Sequence, residues 1–285
     1  MKQLTVISGK GGTGKTSITA AFASLAKNCV FADCDVDAAD LHLILKPDIK
    51  KTTEFHGLKI AEIDKSICAE CKKCIQFCKF DAIDEDINII KESCEGCGVC
   101  ELVCPVYAIK MKERKSGYAY ISETRFGPMA HAALNTAEEA SGKLVTVVRE
   151  NAKKIAEEEN KDLIIIDGPP GIGCPVIASI SGVDLVLIVT EPTLSAIHDL
   201  ERILGVAYHF KIPAVVCINK YDVNKNNTQK IEQYCKKNNI KIVGKIPYDT
   251  VVAEAIINEK TLIEYCDKDF SNIIINIWKK IWEVN

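Results

Sequence analysis

The chain has 285 residues, a formal net charge of −3 and 47 % hydrophobic residues, enough for one large domain or two. Lysine and glutamate are mixed along it with no basic stripe, which argues against a nucleic-acid groove. No apolar run reaches the roughly 18 residues that a spanning helix needs. Met1-Lys2-Gln3-Leu4 runs straight into a β-prone stretch, leaving no room for a signal peptide, so a cytoplasmic protein is expected. Of fourteen cysteines, eight crowd into residues 68–104, which in a reducing compartment points to metal rather than disulfides.

Leu4-Thr5-Val6-Ile7 predicts a first strand, and Ser17 to Ala26, rich in Ala and Leu, a first helix. Between them lies Gly9-Lys10-Gly11-Gly12-Thr13-Gly14-Lys15-Thr16, which fits the phosphate-cradling pattern G-x-x-x-x-G-K-[S/T]. Strand, glycine loop and helix is the arrangement this chemistry needs. Backbone N–H groups curl around a phosphate, the helix N-terminus adds positive potential, Lys15 reaches the β and γ phosphates, and Thr16 ligates Mg²⁺. With Lys10 directly after the first glycine, the loop resembles the deviant P-loop of the MinD, ParA and nitrogenase iron-protein superfamily. The resemblance implies that Lys10 reaches the nucleotide of a second subunit, with ATP sandwiched in a dimer. It makes residues 9–17 the nucleotide-binding segment, with Lys10 and Lys15 acting in catalysis.

Cys29-Val30-Phe31-Ala32 predicts a second strand, ending in Asp33-Cys34-Asp35 with Asp37 and Asp40 beyond. Ligands of open α/β sheets collect at the carboxyl ends of strands, so these carboxylates face the phosphates. In the resembled superfamily an Asp-x-Asp here forms switch I. It implies that Asp35 orients or activates the attacking water and that Asp33 supports the Mg²⁺ shell. A turn rich in aspartate for capping reasons explains the same residues without chemistry. Leu41 to Leu45 reads as a short helix carrying an ordinary histidine, His42.

From Lys59 the character changes. Cys68, Cys71, Cys74 and Cys78 follow C-x₂-C-x₂-C-x₃-C, and Cys94, Cys97, Cys100 and Cys104 repeat it 26 residues later. Asp81-Ala82-Ile83 matches Tyr107-Ala108-Ile109 at the same offset, so the repeat extends beyond the cysteines. Two such runs make a bacterial-type module for two [4Fe–4S] clusters, in which the fourth cysteine of each run serves the other cluster. Cluster I then takes Cys68, Cys71, Cys74 and Cys104, and cluster II takes Cys94, Cys97, Cys100 and Cys78. Tetrahedral zinc is the rival occupant of four-cysteine sites. Lys79 stands where ferredoxins usually carry proline after the fourth cysteine, and a cation there is expected to raise the potential somewhat. The expected organisation is an ATPase part at 1–59, an inserted ferredoxin-like domain at 60–113 and the remaining ATPase part at 114–285, with charged Lys112 to Gly117 as the exit linker.

Beyond the insertion, Tyr118 to Ile121 reads as a strand, Gly127-Pro128 as a turn, and Ser141 to Val145 as a loop opening a helix to about Glu159. His131 and Lys143 are expected in surface roles. Asp162 to Asp167 reads as a buried strand ending in an acid, then Gly168-Pro169-Pro170-Gly171 as a turn. The resemblance makes this Walker B and switch II, with Asp167 holding Mg²⁺. Cys174 lies seven residues past Asp167, the interval at which the nitrogenase iron protein places a cluster ligand shared across its dimer. A small apolar side chain near an interface is the other reading, and no second ligand is evident. Strands follow at 184–190 and 214–218. Asn219-Lys220, and Pro247 with Asp249 in Ile246-Pro247-Tyr248-Asp249, resemble the adenine-side loops of the superfamily, with plain turns as the alternative. Cys29, Cys235 and Cys266 read as structural. The tail from Phe270 to Trp282 has helical periodicity, and docking on the sheet is favoured over a membrane helix.

These elements predict an α/β, doubly wound, mostly parallel sheet of P-loop ATPase type with an inserted α+β ferredoxin-like domain. The implied protein hydrolyses MgATP as a homodimer, or as a heterodimer with a related ATPase. The nucleotide switch moves electrons through two [4Fe–4S] clusters to a redox acceptor. The alternative is an ATP-dependent maturation factor or carrier that delivers a metal cluster to a client protein, with Cys174 holding the cargo. Neither nucleic acid nor membrane is expected as a partner.

Overall fold

In the computed structural model, which describes residues 1–135 and 141–283, strand and helix alternate for most of the chain. The first half comprises β1 (Lys2–Ser8), α1 (Lys15–Leu25), β2 (Cys29–Asp33), α2 (Leu41–Leu45), β3 (Asp48–Ile63), α3 (Lys73–Phe77), α4 (Val99–Val103), β4 (Ile109–Thr124) and β5 (Gly127–Leu134). There follow α5 (Ser141–Glu158), β6 (Leu163–Pro170), α6 (Cys174–Ile180), β7 (Leu185–Thr190), α7 (Leu194–His209) and β8 (Ala214–Asn219). The chain closes with α8 (Lys225–Lys237), β9 (Lys241–Ile246), α9 (Val251–Ile257), α10 (Leu262–Tyr265) and α11 (Lys268–Ile281).

One nine-stranded sheet has the order β3-β4-β5-β2-β6-β1-β7-β8-β9. From β5 to β9 every pairing is parallel. The strands that build its middle, such as Leu163-Ile164-Ile165-Ile166 and Leu185-Val186-Leu187-Ile188-Val189, are β-branched or leucine and buried throughout, as strands covered on both faces must be. Because β1 lies between β6 and β7, the loop after β1 opens at a point where successive connections diverge, the usual place for a ligand crevice. The register of β2 on β6 sets Asp33 opposite Asp167.

The chain divides into two compact units. The larger holds residues 1–52, 119–133 and the segment from Ser141 onward. Its core joins Leu4, Val6 and Ile165 of the sheet to Ile18 and Phe22 of α1, and to Phe270, Ile274, Ile277 and Ile281 of α11. The C-terminal helix therefore buries its apolar face inside this unit, with Trp278 packed 5.0 Å from the Phe22 ring. No helix among the described residues is long and apolar enough to cross a membrane. Cys29, Cys217 and Cys235 are buried in the same unit, and Cys266 packs against its core.

The smaller unit spans Thr53–Tyr118 with a short segment from Leu134. Its hydrophobic cluster is small, consisting of Ala61, Cys74, Ile83, Ile87 and Ile109 with five further cysteines and a few aliphatics packed around them. Contacts extend this unit beyond the 60–113 of the cysteine pattern, because β3 and β4 each continue as a single 16-residue strand past its ends.

Several expectations are corrected here. Lys112 to Gly117 is part of β4 rather than a linker, with Lys112, Glu113 and Lys115 exposed and Arg114 half-buried on a paired strand. Gly127 begins β5 instead of a turn with Pro128. The reversal falls at Arg125-Phe126, where the Thr124 hydroxyl donates to Gly127 O at 2.7 Å and accepts from Phe126 N at 3.1 Å. Helix α5 already begins at Ser141, because Leu144 and Val145 are needed in the core. Strand β6 continues through Gly168 to Pro170, held where Ser8 and Pro170 are in register. His131 is buried in β5, bonded to the Ser122 hydroxyl at 2.8 Å and stacked at 5.0 Å on Tyr120. Burial, with His42 adding to it, pushes its pKa down to about 4.

Two stability outcomes follow. Ile277→Ala should cost about 3 kcal/mol in urea unfolding, whereas exposed Asn276→Ala should fall within about 0.5 kcal/mol of the parent. Because His131 is neutral when folded and takes a proton more readily when unfolded, acid favours the unfolded chain. The window lies between its folded value of about 4 and the ordinary histidine value of about 6.5. Lowering the pH from 7 to 5 should therefore remove about 2 kcal/mol through this residue, and His131→Asn should flatten that slope.

Candidate functional site

The carboxyl ends of β1, β2 and β6 meet at one buried knot of charge. Lys15, at the start of α1, places Nζ 3.0 Å from Asp167 Oδ1, 3.4 Å from Asp35 Oδ2 and 3.3 Å from Thr16 Oγ1. Thr16 and Thr19, on successive turns of α1, donate their hydroxyls to Asp167 at 2.8 and 3.0 Å. Asp33 is fully buried, and its two oxygens accept from the backbone N–H groups of Asp35 and Leu41 at 3.2 and 3.3 Å. It thus shapes the loop between β2 and α2 and does not line the cleft.

One buried lysine faces three buried aspartates. Burial opposes the Lys15 charge, but Asp167, Asp35 and Asp33 outweigh it and hold its pKa above the ordinary value. Burial and the neighbouring Asp167 push Asp33 well up, and burial also raises Asp35 despite Lys15. The cluster carries more negative than positive charge, so it is built to receive another cation. Its donors are carboxylate and hydroxyl oxygens, the set that suits Mg²⁺, and Thr16 with Asp167 is the pair that would hold the ion.

Above the knot opens a cleft of about 540 Å³. Its floor is Gly11, Gly12, Thr13, Gly14, Lys15, Thr16 and Ser17, and Asp35, Asp40 and Pro170 flank it. The far end is formed by Asn219, Lys220, Pro247, Tyr248 and Asp249, with aliphatic Val252 and Ile256 of α9. Gly14 has φ +89, and a Cβ there would stand 2.4 Å from Asn219 Nδ2, so both conformation and space require glycine. Asn219 donates to Thr13 O at 2.7 Å and accepts from Lys220 N at 3.0 Å. The amide expected to read a base is thus engaged in bracing the phosphate loop, although the residue still lines the cleft.

Gly9 and Lys10 stand outside the cleft lining. Gly9 lets the loop approach Asp199 of α7, where a Cβ would come within 2.3 Å. Lys10 Nζ pairs with Glu191 Oε1 at 2.6 Å, and Lys220 Nζ reaches Glu191 Oε2 at 3.1 Å and Gly12 O at 3.0 Å. Burial would raise the Glu191 pKa, yet hydrogen bonds and charge from both lysines hold it below the usual range. Glu191 follows the strand at 184–190, where the sequence offers no sign of a role for it. Its partners lie far away in the chain, so no local signal announces them. Thr19 was missed as well, because nothing beyond its place one turn after Lys15 distinguishes it.

The smaller unit contains two voids lined by cysteine. One is bordered by Cys68, Cys71, Cys74 and Cys104, and the other by Cys94, Cys97, Cys100 and Cys78. The fourth cysteine of each run stands with the first three of the other, and its sulfur accepts a backbone hydrogen bond. Ala82 N donates to Cys78 Sγ at 3.4 Å, and Ala108 N to Cys104 Sγ at 3.2 Å. The backbone repeats with the sequence. Left-handed residues recur in pairs 26 apart, Glu70 with Gly96, Lys72 with Gly98 and Asp81 with Tyr107, and short helices α3 and α4 follow at the same offset. Among the described residues no three His, Cys, Asp or Glu side chains converge as a single-ion site. Two groups of four thiols around separate voids, each with an N–H aimed at sulfur, are a donor set that fits an iron–sulfur cluster. Lys79 lines neither void. Cys174 is exposed at the start of α6, and among the described residues no ligand set forms around it.

Comparison with known proteins agrees with this geometry. An uncharacterised protein of Methanocaldococcus jannaschii, MJ0578, is 37 % identical over 284 residues, covering 99 % of this chain and 96 % of its own. The pyruvate synthase subunit PorD of Methanothermobacter marburgensis is 45 % identical over 53 residues, 19 % of this chain and 65 % of that one. The cell division ATPase MinD of Pyrococcus furiosus superposes with a TM-score of 0.61 at 16 % identity, over 100 % of this chain and 99 % of that one, a likeness of fold. The family model described as the CobQ/CobB/MinD/ParA nucleotide binding domain matches residues 4–263. With its phosphate loop, paired strand-end aspartates and parallel sheet, the chain belongs to the CobQ/CobB/MinD/ParA nucleotide-binding family.

Proposed function

We propose that the protein is a dimeric, MgATP-hydrolysing switch that governs electron transfer through two [4Fe–4S] clusters to a partner protein. The observation that carries this reading is the partition of eight cysteines into two crossed sets of four, on a chain that also builds a nucleotide cleft. A likeness of 38 % over 56 residues to an uncharacterised ferredoxin of Methanocaldococcus jannaschii, MJ0199, supports it.

Each step falls to residues already described. The N–H groups of Gly11 to Thr16 take the phosphates, and Lys15 turns from Asp35 and Asp167 toward them. Thr16 and Asp167 would hold Mg²⁺, which would neutralise phosphate charge when bound. Asp35, freed from Lys15 and partly desolvated, accepts a hydrogen bond from the attacking water. Lys10 leaves Glu191 and crosses to the nucleotide of the second subunit. Pro247, Tyr248, Val252 and Ile256 supply the apolar wall against which a base packs. Because Gly168 to Pro170 belongs to β6, a shift at Asp167 is carried along a strand rather than lost in a loop. The clusters, held by Cys68, Cys71, Cys74 and Cys104 and by Cys94, Cys97, Cys100 and Cys78, supply one-electron chemistry at low potential when bound.

Lys15→Ala should lower ATP turnover about 10²–10³-fold, the usual cost of losing one preorganised charge. Lys10→Ala should bind nucleotide as the parent does but fail to dimerise with ATP in light scattering. Turnover by Lys15→Ala at the parental rate would overturn the phosphate site. The second test loads the protein anaerobically with labelled iron, then adds reductant, MgATP and candidate partners. Retained label with a reduced partner is the expected result. Label that departs with the partner, and stays bound in Cys174→Ala, replaces electron transfer with cluster delivery.

A further inference from the structure

The two cysteine sets come from one repeat, so differences between them stand out against a common backbone. Between the first and third cysteines of the first run lie Ala69, Glu70, Lys72 and Lys73, with formal charge +1. The matching residues of the second run are Glu95, Gly96, Gly98 and Val99, with formal charge −1. Position also matters. Lys72 and Lys73 line the void of Cys68, Cys71, Cys74 and Cys104, which Glu70 does not. Glu95 lines the void of Cys94, Cys97, Cys100 and Cys78. Arg114 approaches the second run, donating to the carbonyls of Lys91 and Cys94 at 2.8 and 3.2 Å, but it does not line that void either.

Backbone conformation sharpens the contrast. Lys72 has φ +56 at the position where its repeat mate is Gly98, at φ +78. Glycine takes this conformation freely, whereas a side chain with a Cβ is strained in it. Glu70, at φ +52, likewise stands where its repeat mate is Gly96, so the first run keeps an anion as well as a cation where the backbone would prefer glycine, but of the two only Lys72 borders the void. Each set receives one N–H···S hydrogen bond, at 3.2 Å on Cys104 and 3.4 Å on Cys78, so the difference between the sets lies in the side-chain charges.

We infer that the two sites are electrostatically unequal, and that Lys72 and Lys73 make the set of Cys68, Cys71, Cys74 and Cys104 the one that accepts the first electron. This rests on the reading that both sets hold [4Fe–4S] clusters. Adding an electron makes a cluster more negative. Nearby cations and N–H groups aimed at sulfur favour that form, and a nearby carboxylate opposes it. With a one-electron reductant such as the dithionite radical, the reductant is oxidised and the first set is reduced while the second remains oxidised. An electron that enters at the second set passes to the first, which fixes the internal direction of flow. Lys72 and Lys73 are therefore positioning residues for charge, without bonds to iron.

The test is an anaerobic potentiometric titration of the reconstituted full chain, followed by electron paramagnetic resonance. The parent should show two separate one-electron steps. Lys72→Gly combined with Lys73→Val, which copies the second run into the first, should move the more positive step toward the other and leave the lower one in place. Glu95→Ala should move only the lower step upward, and Lys72→Arg should preserve the separation. Raising the ionic strength should narrow the gap, because both lysines are exposed. The Gly98-like conformation of Lys72 means that Lys72→Gly relieves strain, so misfolding does not confound the result. A parent that titrates as two coincident steps, or a Lys72→Gly/Lys73→Val protein with unmoved steps, overturns the inference while leaving the clusters intact. Protein that takes up no iron and gives no signal overturns the cluster assignment itself.

Discussion

Lys15 is the only cation hydrogen-bonded into a pocket that holds Asp33, Asp35 and Asp167 among the described residues. Burying this much like charge is costly unless each group is paired or bonded, and the surrounding fold reflects that demand. Parallel pairing of β2 with β6 brings Asp33 beside Asp167, and α1 turns Lys15, Thr16 and Thr19 toward the same carboxylate. Asp33 is stabilised by two backbone N–H groups that also set the course of the chain into α2. The excess of negative charge makes the site receptive to Mg²⁺. A phosphate in the cleft would offer the lysine a partner that competes with both aspartates. The resting contacts are thus those that nucleotide would rearrange.

A second economy operates in the smaller unit. A unit of this size buries too little apolar surface to be robust alone, and its hydrophobic cluster counts thiols among its members. The cysteines are in this sense also the packing. Two copies of a short, tightly turned run solve the same geometric problem twice, which is why left-handed residues and N–H···S contacts recur at one offset.

Much of this was legible in the sequence because the information is local. A phosphate loop encodes its geometry in consecutive residues, and the cysteine spacing determines which sulfurs can face one void. Apolar runs such as Leu163 to Ile166 announce strands covered on both faces. The misreadings share one cause. Lys112 to Gly117 looks like a linker because its charges are conspicuous, yet it belongs to a strand held by pairing, with no apolar run to reveal it. His131 looks like a surface histidine until Ser122, nine residues away in the chain, closes on it across the hairpin. Glu191 gains its importance from Lys10 and Lys220, brought together only by the order of β1, β7 and β8.

The neighbouring strands β2 and β5 are separated in the chain by residues 34–126. For the ATPase sheet, the whole cysteine-bearing segment is therefore one loop that must close before Phe31 can meet Met129. If that loop is slack, closure costs configurational entropy that grows slowly, by roughly 0.6 kcal/mol per doubling of its length. A segment that folded first would present a shorter effective tether. On the reading that the cysteines hold clusters, iron supply and assembly of the sheet would be linked through polymer statistics, and chains without iron or sulfide would close their sheet late.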